Sequence, residues 1–318
     1  MTPREVRNVA ASVRQRLLDR AREHGFDFNF VLARYAAERF LYRLGTSSEV
    51  DRFTLKGASL LLLWAGTELR PTRDVDLLGS GPADHAAVGE AIARICGVES
   101  PDDGLVFDTD SIRVVDIRDD QEYDGVRVKL VAFLDKARIP VQVDIGFGDA
   151  ITPQREQAQY PTLLDAPAPI VWTYPRETFV AEKFEAMVRF GATNSRMKDF
   201  WDVAAVAGRF AFAGETLAEA VAQTFERRGS SIMDLPVALR PAFYQERERV
   251  QRWEAFQQTV SDQTDVPARF DAVGEIVRAF LGPVRESVAQ DSPLTSEWPA
   301  GGSWLPTVSR TGEGGRRG

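Results

Sequence analysis

Apolar positions follow helical spacing at both ends of the chain and a shorter, strand-like pattern in the middle. The capping box Thr2–Glu5 and apolar residues three and four apart predict a first helix that stops at Gly25. A second helix is expected over 28–44, with Gly45 as its stop. Between residues 53 and 147, short runs rich in Val, Ile, Leu and Phe predict strands with helices between them.

The predicted elements divide the chain into five parts. Expected strands lie at 53–56, around Asp74 and Asp76, and at 105–107, 112–117, 126–134 and 141–147, with a hairpin turn at Asp124-Gly125. The order of helices, mixed core and helices favours an α+β protein with two lobes. We assign N-terminal helices to 1–50, the core to 51–152, a proline-rich connecting loop to 153–175, a helical C-terminal lobe to 176–284 and a disordered tail to 285–318.

Composition excludes several kinds of chemistry. The formal charge of −8 argues against indiscriminate nucleic-acid binding, although residues 1–56 carry eleven Arg and Lys against seven Asp and Glu. With Cys96 as the single cysteine and only two histidines, a zinc site or a Ser–His–Asp arrangement is improbable, and a reducing cytoplasm is expected. The longest apolar run, 60–65, is too short to cross a membrane. Metal chemistry must therefore use carboxylates, which favours Mg²⁺ or Mn²⁺.

Two aspartates stand two residues apart in "RPTRDVDLL", residues 70–78. On a strand, Asp74 and Asp76 share one face while Val75 and Leu77 pack on the other. Carboxylates this close repel each other, and a shared proton or a divalent cation relieves the repulsion. The spacing therefore makes Asp74 and Asp76 candidate metal ligands.

A third carboxylate, Asp144, lies on the polar face of the expected strand "PVQVDIGF". If it joins Asp74 and Asp76, the three form an oxygen-ligand set suited to two Mg²⁺ ions about 3.5–4 Å apart, which stabilise in-line phosphoryl displacement. The competing interpretation is three exposed strand aspartates without a role.

The segment "LKGASLLLLW" precedes the aspartate pair. Gly57 permits a close backbone approach, and Lys56 and Ser59 are candidate contacts of a triphosphate. An ordinary helix start explains the same segment when it is taken alone. Arg70 and Arg73 are further candidate phosphate contacts.

Two charged residues fall on apolar helical faces in the C-terminal part. Lys183 lies inside the apolar stripe of "ETFVAEKFEAMVRF", and Asp199 lies on that of "KDFWDVAAVAGRF". A buried lysine costs free energy unless its ammonium group meets an anion. Either the two form a structural ion pair, or Lys183 contacts phosphate oxygens and Asp199 the nucleophile or a metal.

Five segments, in this order, closely resemble the AbiEii/AbiGii toxin family of nucleotidyltransferases: "RFTLKGASLLLLW", "RPTRDVDLLG", "VQVDIGFGDAITP", "AEKFEAMV" and "RMKDFWDV". The resemblance covers nearly all of residues 1–284. It implies a DNA polymerase β-like core with a mixed sheet, N-terminal helices and a helical C-terminal lobe. It also implies a toxin of a type IV toxin–antitoxin system, and characterised relatives transfer nucleotides from NTP to the acceptor end of tRNA, which blocks translation.

The resemblance also implies roles for residues of the core. Asp74 and Asp76 bind the catalytic metal, and Lys56 and Ser59 match the nucleotide-binding motif K-G-G-[ST]. Ala58 departs from that motif, since many relatives carry a second glycine there.

In the C-terminal lobe, Lys183 matches a lysine that contacts phosphate, and Asp199 matches a late acidic residue needed for activity. The resemblance thus predicts a Mg²⁺-dependent enzyme that uses NTP, modifies tRNA, and has an antitoxin encoded nearby that need not bind it directly. Two alternatives stay open at this point. The acceptor is a small molecule, as in antibiotic-modifying nucleotidyltransferases, or the chain is an inactive binding protein with the same fold.

Overall fold

A seven-stranded mixed sheet organises the first of two compact units, Met1–Pro175; the second is Arg176–Gly318. The computed structural model describes residues 8–66, 70–117, 125–260 and 265–307. Across the sheet, the strands run in the order β3 (Leu105–Asp116), β4 (Gly125–Leu134), β5 (Ala137–Phe147), β2 (Val75–Gly79), β1 (Phe53–Lys56), β7 (Ile170–Thr173) and β6 (Glu156–Gln159). The sheet and its helices confirm the predicted α+β class.

The central strands follow the alternation that the sequence predicts. In β2, Val75 and Leu77 are buried while Asp76 between them is half-buried. In β5, Val143 and Ile145 are buried around the half-buried Asp144. Strand β2 pairs in parallel with β5 and antiparallel with β1, which places it at the centre of the sheet.

The described part of the first unit contains the helices α1 (Val9–His24), α2 (Phe28–Thr46), α3 (Ser59–Ala65) and α4 (His85–Cys96). The Asn8 side chain caps α1 and Asp27 caps α2, each by accepting a backbone N–H. Gly25 ends α1 in the left-handed region, as predicted. The capping box at 2–5 lies outside the described residues.

Gly45 does not end α2, contrary to the prediction. The helix continues through it to Thr46, and a Cβ atom on Gly45 would lie 2.3 Å from the backbone oxygen of Ile170. The glycine therefore permits close packing of α2 on β7, which helix-stop rules do not reveal.

Two further expectations for the first unit were wrong in detail. The segment 153–175, expected to be a loop, contains β6 and β7, whose pairing extends the sheet beyond β1. The two runs at 105–107 and 112–117 form one strand, with an irregularity between Asp108 and Arg113 that shifts its register against β4. The predicted turn residue Asp124 lies outside the described residues.

The second unit packs helices around an aromatic cluster. Its helices are α5 (Arg176–Phe190), α6 (Met197–Arg209), α7 (Gly214–Arg227), α8 (Arg247–Gln257) and α9 (Phe270–Ala289). Phe200, Phe243, Tyr244 and Phe270 contact one another, and Trp253 stacks on Phe270 at 4.9 Å between ring centroids. Such buried aromatic pairs supply much of the apolar area of a small helical core.

The segment after residue 284 differs from the expected disordered tail. Helix α9 continues to Ala289, and a small sheet joins β8 (Phe212–Ala213), β9 (Ser296–Trp298) and β10 (Leu305–Pro306). Trp298 is buried and its Nε1 donates to the backbone oxygen of Ala207. Trp304 stacks on Phe280, so the two tryptophans anchor a segment that is polar in composition. Residues 308–318 lie outside the described part.

Candidate active site

The two aspartates of "RPTRDVDLL" lie at the start of β2. Asp74 directly precedes β2 and Asp76 is its second residue, and both are half-buried beside the buried Val75. On the neighbouring strands, Asp76 lies opposite Lys56 of β1 on one side and Asp144 of β5 on the other. The sheet therefore gathers three predicted site residues into one row.

The loop after β1 lies directly against this row. Gly57 has φ +69°, and a Cβ atom there would stand 2.1 Å from the Asp76 Oδ2. No larger residue fits without moving the carboxylate. The following Ser59 is buried at the first position of α3.

Lys56 already has an anionic partner in this structure. Its Nζ donates to the Asp149 Oδ2 at 2.7 Å, and the ammonium group lies 5.5 Å from the centre of the Tyr174 ring. The Asp149 side chain is almost fully buried. Asp149 was not among the predicted site residues, although it lies just after β5 in the family segment "VQVDIGFGDAITP".

A small cavity collects the remaining predicted nucleotide contacts. Ala58 and Ser59 line it together with Arg70, Arg73 and Asp74. The structure thus brings hydroxyl, guanidinium and carboxylate groups to one place. These groups have the chemistry that contacts a phosphate. The cavity itself has a volume of about 20 Å³, which admits a water molecule and not a triphosphate, so a bound NTP requires the groups around it to move.

Asp144 has a different environment from the one expected. Both of its carboxylate oxygens accept from Arg127, at 2.8 and 2.7 Å, and Gln142 adds a longer contact at 3.4 Å. Within the described ranges, no three His, Cys, Asp or Glu side chains are grouped to hold a metal ion, so the expected three-carboxylate set is not assembled. A role for Asp144 as a metal ligand stays a prediction and requires release of Arg127.

The second unit holds Lys183 and Asp199 together. The Lys183 Nζ lies 3.0 Å from the Asp199 Oδ1 and 2.6 Å from the Asp202 Oδ2, and both carboxylates are buried. Arg196 reaches the second oxygen of Asp199 at 2.6 Å. Burial by itself raises the pKa of Asp199, but the charges of Lys183 and Arg196 outweigh it and hold that pKa below its usual range.

The ion pair is therefore present, which was one of the two interpretations of Lys183, while its part in the reaction stays a prediction. Asp202 was not predicted as a partner of Lys183. Its spacing of three residues from Asp199 puts the two carboxylates on adjacent positions of α6.

Comparison with known proteins gives the class. The sequence profile of the family described as "Nucleotidyl transferase AbiEii toxin, Type IV TA system" matches residues 39–276, so the chain belongs to this family. A search of curated proteins gave no match. The protein is a nucleotidyltransferase toxin of a type IV toxin–antitoxin system, a class that implies an NTP substrate and an antitoxin.

Two solved structures illustrate the fold. The nucleotidyltransferase toxin MenT4 from Mycobacterium tuberculosis H37Rv has a TM-score of 0.54 at 15% identity, covering 86% of this chain and 89% of its own. JHP933 from Helicobacter pylori has a TM-score of 0.45 at 11% identity, covering 80% and 90%. At such identity the first likeness shows a shared fold, which agrees with the predicted nucleotidyltransferase architecture. Among the described residues, no helix has the length and apolar character to span a bilayer.

Proposed function

We propose that this toxin transfers a nucleotide from NTP to a hydroxyl group of RNA, with the acceptor end of tRNA as the target, and so blocks translation. The observation that carries the proposal is the half-buried Asp76 of β2, against whose carboxylate the Gly57 loop packs, with Asp74 two residues before it. Both substrates are cytoplasmic, and we place the activity there.

The donor set fits a magnesium ion. Asp76 of β2 and Asp74, which directly precedes the strand, offer hard carboxylate oxygens, and cations of the Mg²⁺ class prefer such ligands. When bound, Mg²⁺ supplies positive charge that neutralises the phosphates and orients them. We assign the holding of that ion to these two residues.

The remaining groups of the first unit bind and orient the triphosphate. Ser59, Arg70 and Arg73 line the cavity next to Asp74, and Lys56 lies opposite Asp76. A triphosphate carries more charge than the Asp149 carboxylate, so it competes for the Lys56 ammonium group.

The reaction asks the protein mainly for position and charge. The acceptor hydroxyl oxygen gives its proton to solvent water and forms a bond to the α-phosphorus of the NTP. The bond from that phosphorus to the oxygen bridging to the β-phosphate breaks, and pyrophosphate leaves. In the second unit, we propose that Lys183 and Asp199 also contribute to transfer, on the strength of their match to the family motif.

The acceptor is tested with labelled nucleotides. The purified toxin is incubated with α-labelled NTPs, total bacterial RNA and a small-molecule extract, either in Mg²⁺ or in EDTA. We expect label on RNA and release of pyrophosphate in Mg²⁺ or Mn²⁺, and neither product in EDTA. Label on small molecules alone would favour the antibiotic-type alternative, and no label on any acceptor would favour the inactive one.

A further inference from the structure

A second, larger cavity of the first unit lies on the other side of Asp74. Its volume is about 700 Å³, and it extends from Arg73 and Asp74 along the middle of β3 and β4 and the first half of β5; residues near the start of α2 also line it. Arg113, Lys129 and Arg138 line it, and all three are exposed. The cavity is thus bordered by four cationic side chains and ends at a predicted catalytic carboxylate.

Strand register explains why these charges lie on the same face as the carboxylates. Asp144 lies opposite both Asp76 and Arg127, which forms one polar row across β2, β5 and β4. A second row lies two residues further along these strands. In it, Lys129 of β4 lies opposite Gln142 of β5 on one side and Arg113 of β3 on the other. Residues two apart on a strand point to the same side, so the basic surface continues the candidate active-site face.

These cations lack the partners that occupy the other charged groups nearby. Arg127 is bound by Asp144, and Lys56 by Asp149. Among the described residues, Arg113 donates to the backbone oxygens of Asp110 and Ile112. Within the part of the chain that the structure describes, Arg73, Lys129 and Arg138 form no ion pair. Unpaired cations along a cavity are the electrostatic mark of a polyanion site.

Exposed apolar side chains continue the surface beyond these charges. Phe133 lies opposite Arg138 on one side and Val106 on the other. Phe133 is 39% exposed and Val106 is 65% exposed. A ring beside a guanidinium group is the arrangement on which unpaired bases stack.

In-line transfer requires the NTP and the acceptor to lie on opposite sides of the reacting phosphorus, and two sides of β2 are available for them. The attacking and leaving oxygens stand on opposite sides of the α-phosphorus. The candidate triphosphate contacts Lys56 and Ser59 belong to β1 and the helix that follows it, whereas the large cavity lies on the β5 side. Arg73 and Asp74 border both cavities. The acceptor therefore approaches from the β5 side.

We infer that the exposed face of β3, β4 and β5 binds the single-stranded 3′ end of the acceptor RNA. Arg73, Arg113, Lys129 and Arg138 contact its phosphates, and Phe133 stacks on one of its bases. This inference rests on the proposed function for the identity of the acceptor. Beyond the proposed function, the inference specifies which surface binds the acceptor. It also requires that the 3′ end of the acceptor RNA is not base-paired.

The test compares two triple variants of equal charge. One is Arg113→Gln, Lys129→Gln and Arg138→Gln; the control is Arg16→Gln, Arg20→Gln and Arg22→Gln, three exposed positions of α1 that do not line the cavity. Binding of a short fluorescent single-stranded RNA is measured by anisotropy over a range of salt, together with the melting temperature and the Kd for NTP. No transfer is needed for this measurement.

We expect the cavity variant to bind RNA about 10-fold or more weakly, and its log Kd to depend less steeply on log salt, by about 2. The control variant should bind RNA like the wild type, and both should keep the wild-type Kd for NTP. Equal weakening in both variants would show a net-charge effect and overturn the inference. A wild-type protein that binds no RNA, or binds blunt duplex RNA as well as single strands, would also overturn it.

Phe133→Leu tests the stacking contact without changing charge. We expect RNA binding to weaken about 5-fold or more with an unchanged salt dependence, because stacking on a ring is lost while apolar area stays. An unchanged affinity for RNA would show that Phe133 is not part of the RNA-binding surface. If RNA binding responds as expected but wild-type protein transfers no nucleotide to RNA, the proposed function fails while the binding surface stands.

Discussion

At the scale of single residues, Lys183 combines a structural and a predicted catalytic role. Its ammonium group lies between the buried carboxylates of Asp199 and Asp202. Lys183→Met leaves both without this partner, so we expect the free energy of unfolding to fall by roughly 3–5 kcal/mol. Chemical denaturation measures the loss, and transfer is measured on the same preparation.

The double variant Lys183→Met/Asp202→Asn separates the two roles of Lys183. Removing one of the two carboxylate charges should recover much of the lost stability, since Arg196 still holds Asp199. We expect transfer to stay lost in this double variant. Recovery of transfer together with stability would mean that Lys183 acts only as an ion-pair partner.

Glu38 is a buried carboxyl group with a pKa in the neutral range. Burial raises its pKa from 4.5 to about 7, although Arg39 opposes the shift. The folded state therefore binds more protons here than the unfolded state between those pH values. Stability from this group is full below about pH 4.5 and is lost as pH rises through 7.

A substitution of Glu38 isolates this contribution. We expect the wild type to lose at most about 3 kcal/mol through this group between pH 4.5 and pH 8. Glu38→Gln cannot ionise, so its unfolding free energy should fall less steeply with pH, as followed by urea denaturation. Parallel pH profiles for the two proteins would contradict this assignment.

At the scale of elements, the turn between β1 and α3 is the local structure on which the site depends most. Gly57→Ala places a methyl group against the Asp76 carboxylate, whereas Gly66→Ala, at φ +68°, meets no atom within 4 Å. Both variants pay the cost of a left-handed backbone, roughly 1–2 kcal/mol. Only Gly57→Ala should also lose transfer, measured as pyrophosphate release. Equal transfer activity of the two variants would show that the turn does not contribute to the active site.

The elements also show how far sequence reasoning reaches. Alternation predicted that Asp76 lies between the buried Val75 and Leu77, and the structure agrees, because this pattern needs only local geometry. The Arg127 partner of Asp144 depends on the register between β4 and β5, which no local pattern reveals. Strands β6 and β7 were not predicted, because the prolines around them are typical of loops and not of strands.

At the scale of the whole molecule, the family and the nucleotidyltransferase fold were predictable because five motifs occur in order. The ordered structure of the segment after residue 284 was not predictable, because it depends on contacts of Trp298 and Trp304 with residues far away in sequence. Composition rules describe what a segment does alone and do not see such docking. The larger basic cavity was not predicted either. Its cationic residues come from three strands and meet only through the pairing register of those strands.

The central claim is that nucleotide transfer depends on the carboxylates of Asp74 and Asp76 at the start of β2. Its most direct test is the initial rate of label transfer from NTP to total RNA in Mg²⁺ by the wild type and by Asp76→Asn. Asp116→Asn, which changes an exposed carboxylate on β3, serves as the control. We predict that Asp76→Asn melts near the wild-type temperature and is at least about 100-fold slower, while the control keeps its rate. A folded Asp76→Asn protein that labels RNA at the wild-type rate would contradict the account.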